Sequence, residues 1–255
     1  MFKFAAVVAL AGALLSGTAV AETAKPTIVL VHGAFADSSS WNGVVEILRK
    51  DGFPVVAAAN PLRSVSNDAA YVSDVVSSIA GPVVLVGHSY GGQVISTAAN
   101  GHDNVKSLVY VAAFAPDAGE SVADLAGKFP GGTLGAALAP PVKLSAGGVD
   151  LYIDQAKFHD QFASDVPAEQ AALMAAAQRP VTEAALTEKS GEPAWKKLPS
   201  WFVYGTGDKN IPAAALSFMA ERAGSKGTVV VDGASHVVMV SQPQKVADLI
   251  EKAAK

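Results

Sequence analysis

Ser89 stands in Gly87-His88-Ser89-Tyr90-Gly91, a G-x-S-x-G pentapeptide preceded by the apolar run Val83–Val86 and followed by a helix-like segment, Gln93–Ala99. A serine hydroxyl is a weak nucleophile at neutral pH unless a base takes its proton and a third group orients that base. The chain supplies both residue types further on, Asp208 after Gly205-Thr206-Gly207 and His236 after Gly233-Ala234-Ser235, each behind an apolar run. The order serine, acid, histidine is the one that accompanies a nucleophile elbow, a sharp strand-to-helix turn whose glycines remove colliding side chains. The chemistry this predicts is acyl transfer. His236 takes the Ser89 proton during attack and returns one to the leaving group, while Asp208 fixes the imidazole tautomer and stabilises the imidazolium. Asp117, behind the apolar run 108–113, is a competing acid. Gly205 and Gly207 favour Asp208 by letting its loop curl toward the same edge. A plain turn, a surface histidine and a turn-capping aspartate would account for each residue singly, and their conjunction is what points to a triad.

Negative charge developing on a carbonyl oxygen needs fixed donors. The backbone N–H after the nucleophile, that of Tyr90, is one, and the loop His32-Gly33-Ala34-Phe35 offers the second through Ala34. His32 is read as tying down that turn. His32, His88 and His236 could approach one another, yet no H-E-x-x-H or carboxylate cluster accompanies them, so neither a metal nor any other cofactor is expected. The chain has no cysteine, which excludes thiol nucleophiles and thiolate metal sites. The glycines around Ser89 lack the G-x-G-x-x-G spacing of a dinucleotide loop.

These residues need a frame that brings distant loops together. Short apolar strands are predicted at Thr27–Val31, Pro54–Ala58, Val83–Gly87, Val105–Ala113, Trp201–Tyr204 and Gly227–Val231. Helices are predicted at Trp41–Lys50, Asp68–Ile79, Gln93–Ala99, Ile211–Arg222 and Pro243–Ala253, from apolar positions at helical spacing, with a loop over Asn60–Asn67. Strands that are nearly unbroken apolar runs, alternating with amphipathic helices, indicate an α/β fold with a mostly parallel central sheet covered on both faces. Right-handed crossovers put the loops after the strands on one edge, where ligands of such sheets bind.

The rhythm changes between 115 and 199. Pro130-Gly131-Gly132, Pro140-Pro141 and Gly147-Gly148 interrupt it. A short strand at Val149–Ile153 and helices at Gln155–Phe162, Ala168–Gln178 and Ala184–Lys189 are predicted inside it. The expected organisation is a core of 22–114 and 200–255 with 115–199 inserted as a cap over the pocket, a peripheral supporting subdomain being the alternative. Phe35, Tyr90 and Phe114, with Tyr152, Phe158, Phe162 and Met174 from the cap, are candidate pocket walls, although ordinary core packing would use the same residue types. An apolar, partly aromatic cavity suits a small acyl or aryl ester better than a sugar or a highly charged metabolite.

The first 21 residues carry Lys3, the apolar run Phe4–Leu15 and Ala19-Val20-Ala21, the pattern of an export signal; a retained N-terminal anchor is the alternative. Its removal would take the chain from 255 to 234 residues and from a net charge of −4 to −5, because it holds one lysine and no acid. That length supports one large core without disulfides. The mild negative charge gives no footprint for nucleic acid, no membrane insertion is expected once the signal is removed, and an exported, cysteine-free chain is compatible with a bacterial periplasm. Either a monomer or a homodimer is compatible with the sequence.

Val29-Leu-Val-His-Gly-Ala-Phe35, Leu85-Val-Gly-His-Ser-Tyr-Gly-Gly92 and Ser235-His-Val-Val-Met-Val-Ser-Gln-Pro243 together resemble the α/β-hydrolases, and more narrowly the plant methyl esterase and hydroxynitrile lyase branch with its small bacterial relatives. The resemblance runs from about Pro26 to Lys252 and is weakest through the cap. It implies Ser89, Asp208 and His236 as triad and Ala34 and Tyr90 as oxyanion donors. Cyanohydrin-cleaving members carry a threonine where this chain has Gly33 and a lysine where it has Val237, so the resemblance favours ester hydrolysis. A lyase-like or other carbon-carbon or carbon-nitrogen cleaving activity, or a catalytically silent binding protein, are the alternatives. Thioesters, lactones and acyl transfer stay within reach of the same triad.

Overall fold

Six short runs rich in Val, Ile and Leu build a single parallel sheet in the computed structural model, which describes Met1 and residues 25–255. The expected export signal, Met1 apart, lies outside the described residues. The strands are β1 (Thr27–Val31), β2 (Val55–Ala58), β3 (Val83–His88), β4 (Val105–Val111), β8 (Ser200–Gly205) and β9 (Gly227–Val231), in the spatial order β2-β1-β3-β4-β8-β9. β3 is buried along its whole length, as a strand covered on both faces must be.

Helices α1 (Asn42–Lys50), α2 (Val65–Ser77), α3 (Gly91–Ala98), α9 (Ala213–Arg222), α10 (Val238–Ser241) and α11 (Pro243–Ala253) supply those covers. The chain steps from β1 outward to β2, then back across to β3 and on to β4. Right-handed crossovers therefore set α1 on one face and α2 and α3 on the other. α11 returns to pack beside α1, burying Val246, Leu249 and Ile250 against the sheet. α2 begins earlier than its apolar spacing suggests. The Ser64 hydroxyl accepts from the Asn67 N–H, and the Glu188 carboxylate accepts from those of Val65 and Ser66, so the expected loop ends at Ser64.

Register decides where the site forms. Val31 pairs with Gly87 and Gly87 with Tyr110, while Val111 pairs with Val203 and Gly205 with Val231. The loops after β1, β3, β8 and β9 thus leave one edge side by side. Between β1 and β3 the strand order reverses direction, which opens a crevice at their carboxyl ends.

Between β4 and β8 lie α4 (Val122–Lys128), α5 (Leu134–Ala137), β5 (Val142–Lys143), β6 (Val149–Leu151), α6 (Gln155–Phe162), α7 (Ala168–Ala177), β7 (Val181–Thr182) and α8 (Glu183–Thr187). The three strands form a small antiparallel sheet, β5-β6-β7. Arg63, in the loop before α2, straps this insertion to the core. Its guanidinium donates to Asp150 at 2.6 Å and to the Pro180 carbonyl at 2.8 Å, and its own carbonyl accepts from Thr182 Oγ1. α4 and α5 are absent from the sequence expectation. α4 carries a reciprocal cap, Ser121 with Asp124, that fixes its start.

Candidate active site

Ser89 occupies the turn between β3 and α3 with φ +53°, a left-handed conformation that an L-residue adopts only under tertiary constraint. The constraint is close packing of backbone on backbone. A Cβ at Gly87 would lie 2.5 Å from the Gly91 carbonyl oxygen, and one at Gly91 would lie 2.6 Å from that of Val31. The Ser89 N–H donates to the Val111 carbonyl and its own carbonyl accepts from Phe114, so the neighbouring strand's loop holds the turn from the side.

His236 follows β9 and Asp208 follows β8. Asp208 Oδ1 accepts the N–H groups of Asn210 and Ile211 at 2.8 and 2.9 Å, leaving Oδ2 for His236 Nδ1 at 2.7 Å. With both carboxyl oxygens acting as acceptors, the proton shared in that contact belongs to Nδ1, and Nε2 carries the lone pair. Both side chains are buried, and Nε2 has no hydrogen-bond partner among the described residues. The loops of acid and base are interlocked rather than merely flexible. A Cβ at Gly205 would lie 1.9 Å from the Ala234 carbonyl oxygen, and the Gly207 N–H donates to that same oxygen at 3.0 Å. The glycines beside Asp208 therefore serve close approach, where the sequence suggested freedom to curl.

The main chain of His236 is anchored behind the elbow, its carbonyl 3.1 Å from His88 Nε2. Phe162 stands edge-on to the His236 ring at 5.1 Å and also meets Phe35 and His88. His32 is buried, its Nδ1 donating to the Gly33 carbonyl at 3.0 Å, and its carbonyl accepts from the Asn60 amide at 2.9 Å, which pins the turn after β1. Burial lowers the His32 pKa to about 4 and pushes that of His88 well below the usual histidine range. The Tyr90 hydroxyl donates to Asp68 at 2.8 Å, and burial raises the Tyr90 pKa. Among the described residues, no group of three or more His, Asp or Glu side chains is arranged to hold a metal ion, and no helix is long and apolar enough to cross a membrane.

A cavity of about 260 Å³ opens over Ser89. Ala34, Phe35, Tyr90 and Phe114 line it, joined by α4, α5, Leu138, Leu186, Asn210 and Ile211. Neither the Ala34 nor the Tyr90 N–H is engaged in a backbone hydrogen bond among the described residues, whereas the intervening Phe35 N–H is, donating to Arg179. The arrangement joins a strained serine, an oriented base and two unengaged amides at an apolar cavity.

Four cap expectations need correction. Phe158 is wholly buried against Phe162, and Phe162 packs on the imidazole, because α6 turns its aromatic face into the cap-core interface. Tyr152 lines a separate shallow cleft with Val142 and Gln155. Met174 lines a groove of about 350 Å³ between α7 and the Asp37–Gly43 segment, which Phe35 lines as well. Asp117 is paired with Lys196 at 2.6 Å, which holds its carboxyl below the usual range, and Asp208 is the acid that meets His236. Val122, Ala123, Ala126, Leu134, Leu138 and Leu186 are the cap walls the sequence did not single out.

A model of the alpha/beta hydrolase family matches residues 28–249. The chain belongs to this family. Its relatives include the alpha-hydroxynitrile lyase of Arabidopsis thaliana, 26% identical over 88% of this chain and 95% of that one. They also include the pimeloyl-[acyl-carrier protein] methyl ester esterase of Aeromonas hydrophila, 27% identical over 89% and 94%. Among solved structures, polyneuridine aldehyde esterase superposes with a TM-score of 0.78 at 19% identity, covering 91% of this hydrolase and all of that chain. That likeness is one of fold, reached with little common sequence.

Proposed function

We propose that this alpha/beta hydrolase cleaves small carboxylic esters bearing an apolar or aromatic part, through an acyl-enzyme on Ser89. The observation that carries the reading is the strained Ser89 at the floor of an apolar cavity, with a buried His236–Asp208 pair whose tautomer leaves Nε2 as a base. Ser89 Oγ attacks the acyl carbon as its proton passes to His236 Nε2. The oxyanion is met by the N–H groups of Ala34 and Tyr90, each such donor contributing on the order of 3 kcal/mol to transition-state stability. The bond from carbon to the alcohol oxygen then breaks, and that oxygen takes the proton from Nε2. Water repeats the sequence, releasing the acid and restoring the serine.

A lyase reading draws on the hydroxynitrile lyase relative. Gly33 weighs against it. A Cβ there would lie 2.6 Å from that of Ser89 and 2.7 Å from the His88 carbonyl oxygen, so the threonine of cyanohydrin-cleaving members has no room without backbone movement. Val237, where those members place a lysine, is fully buried. The test is turnover of p-nitrophenyl acetate, butyrate and benzoate by the wild type and by Ser89→Ala. Release of nitrophenolate by the wild type and its loss in the variant is expected. Equal rates would remove Ser89 from the mechanism, and inactivity of both would favour the lyase or a binding role.

A further inference from the structure

The cavity over Ser89 is walled almost entirely by Ala, Val, Leu and Phe side chains, with one amide among them, that of Asn210. Its orientation follows from its neighbours. The Lys209 carbonyl oxygen can only accept, so the Gln161 atom 3.0 Å from it is the amide nitrogen, Nε2. Gln161 Oε1 on the other side accepts from Thr133 Oγ1 at 2.9 Å, consistent with that assignment. The same Nε2 lies 2.7 Å from Asn210, and a donor must meet an acceptor, so this Asn210 atom is Oδ1. The amide nitrogen of Asn210 is thereby turned the other way, and Nδ2 donates to no protein group among the described residues.

Asn210 is only 6% exposed, and its unpaired Nδ2 is not among the fully buried atoms, so a ligand that fills the cavity this residue lines displaces the solvent that would otherwise meet the donor. An unmet donor in an apolar wall selects for a ligand that brings an acceptor, because an analogue lacking one leaves the donor unpaired. Resting on the ester reading above, we propose that Asn210 Nδ2 is a specificity-determining donor, and that the substrate carries a second neutral hydrogen-bond acceptor, a ketone, ether or second ester oxygen, besides the carbonyl that is attacked. Gln161 and Thr133 are positioning residues for it. They come from α6 and the start of α5, so the cap sets which face of the amide the cavity presents.

The test uses p-nitrophenyl hexanoate and its γ- and δ-keto analogues. The wild type should prefer at least one keto ester by about tenfold in kcat/KM over its preference in Asn210→Ala, which keeps the backbone N–H that holds Asp208. Asn210→Asp, which keeps the size but replaces Nδ2 by an oxygen, should lose the preference as well, and Gln161→Leu should weaken it. Since keto groups alter intrinsic reactivity, only the ratio between proteins is read. Equal loss on keto and plain esters would make Asn210 purely structural and overturn the proposal, as would an unchanged ratio. If the wild type hydrolyses none of them, the ester reading fails separately. The Asn210 proposal is then decided by NMR titration of Ser89→Ala with methyl hexanoate and its keto analogues, where tighter keto binding that disappears on adding Asn210→Ala upholds it and equal binding overturns it.

Discussion

At the scale of single residues the site depends on hydrogen-bond bookkeeping around Asp208. Its Oδ1 is committed to two backbone N–H groups, and only Oδ2 faces the imidazole. In Asp208→Asn the side-chain oxygen must stay with those amides, so the new NH₂ points at Nδ1 and forces it to accept. The proton then sits on Nε2, the atom that has to receive one from Ser89. We expect kcat to fall by roughly 10³–10⁴ with a small change in stability, as for a triad held in the wrong tautomer. Ester kinetics and a thermal melt on the same sample check both halves. A variant retaining most of its rate would mean that the acid only supports the loop.

At the scale of elements, what could be read in advance was whatever a local pattern encodes. The inner strands β1, β3, β4 and β8 are legible because burial on both faces gives continuous apolar runs, and the helices α6 and α11 because burial on one face gives helical spacing. The elbow and triad order are legible because their glycines and polar residues sit at fixed offsets from those strands. The cap walls are not. Phe158 and Phe162 share a helical face as their spacing says, but which way that face turns is decided by docking of α6 against His236. Asn210 gave no signal because the residue that orients it, Gln161, lies 49 positions away. α4 has a local signal, the capping box Ser121-Val122-Ala123-Asp124 before apolar residues, but Pro130-Gly131-Gly132 cut its helical spacing short. This cap matters for the cavity because Val122, Ala123 and Ala126 of α4 form its wall. Ser121→Ala removes the acceptor for the Asp124 N–H and weakens the helix start by about 1 kcal/mol. The expected result is faster amide exchange confined to α4 and a rise in KM for short esters that exceeds any fall in kcat. A uniform loss of protection across the core would contradict this local role.

At the scale of the whole molecule, strand order and register bring residues as distant as Ala34 and His236 to one crevice, and the closeness of that packing leaves a liability in acid. His32 and His88 lie beneath the elbow, wholly buried, each with one ring nitrogen that has no partner among the described residues. Desolvation depresses both, His32 to about 4, with Arg179 opposing its charge and Asp37 favouring it, and with His236 and His32 opposing charge on His88. In the unfolded chain each would titrate near the ordinary histidine value. Below that value the unfolded state binds protons that the folded state refuses, so stability is full above about pH 6.5 and declines as pH falls toward the folded pKa. For His32 alone the loss between about pH 7 and pH 5 is roughly 2 kcal/mol, and His88 adds to it in the same direction. Chemical denaturation across this range should show stability falling on acidification, with proton uptake on unfolding that is maximal between about pH 4.5 and 6. His32→Gln, even if less stable at neutral pH, should flatten that slope. A slope unaffected by His32→Gln would place the acid sensitivity elsewhere in the fold.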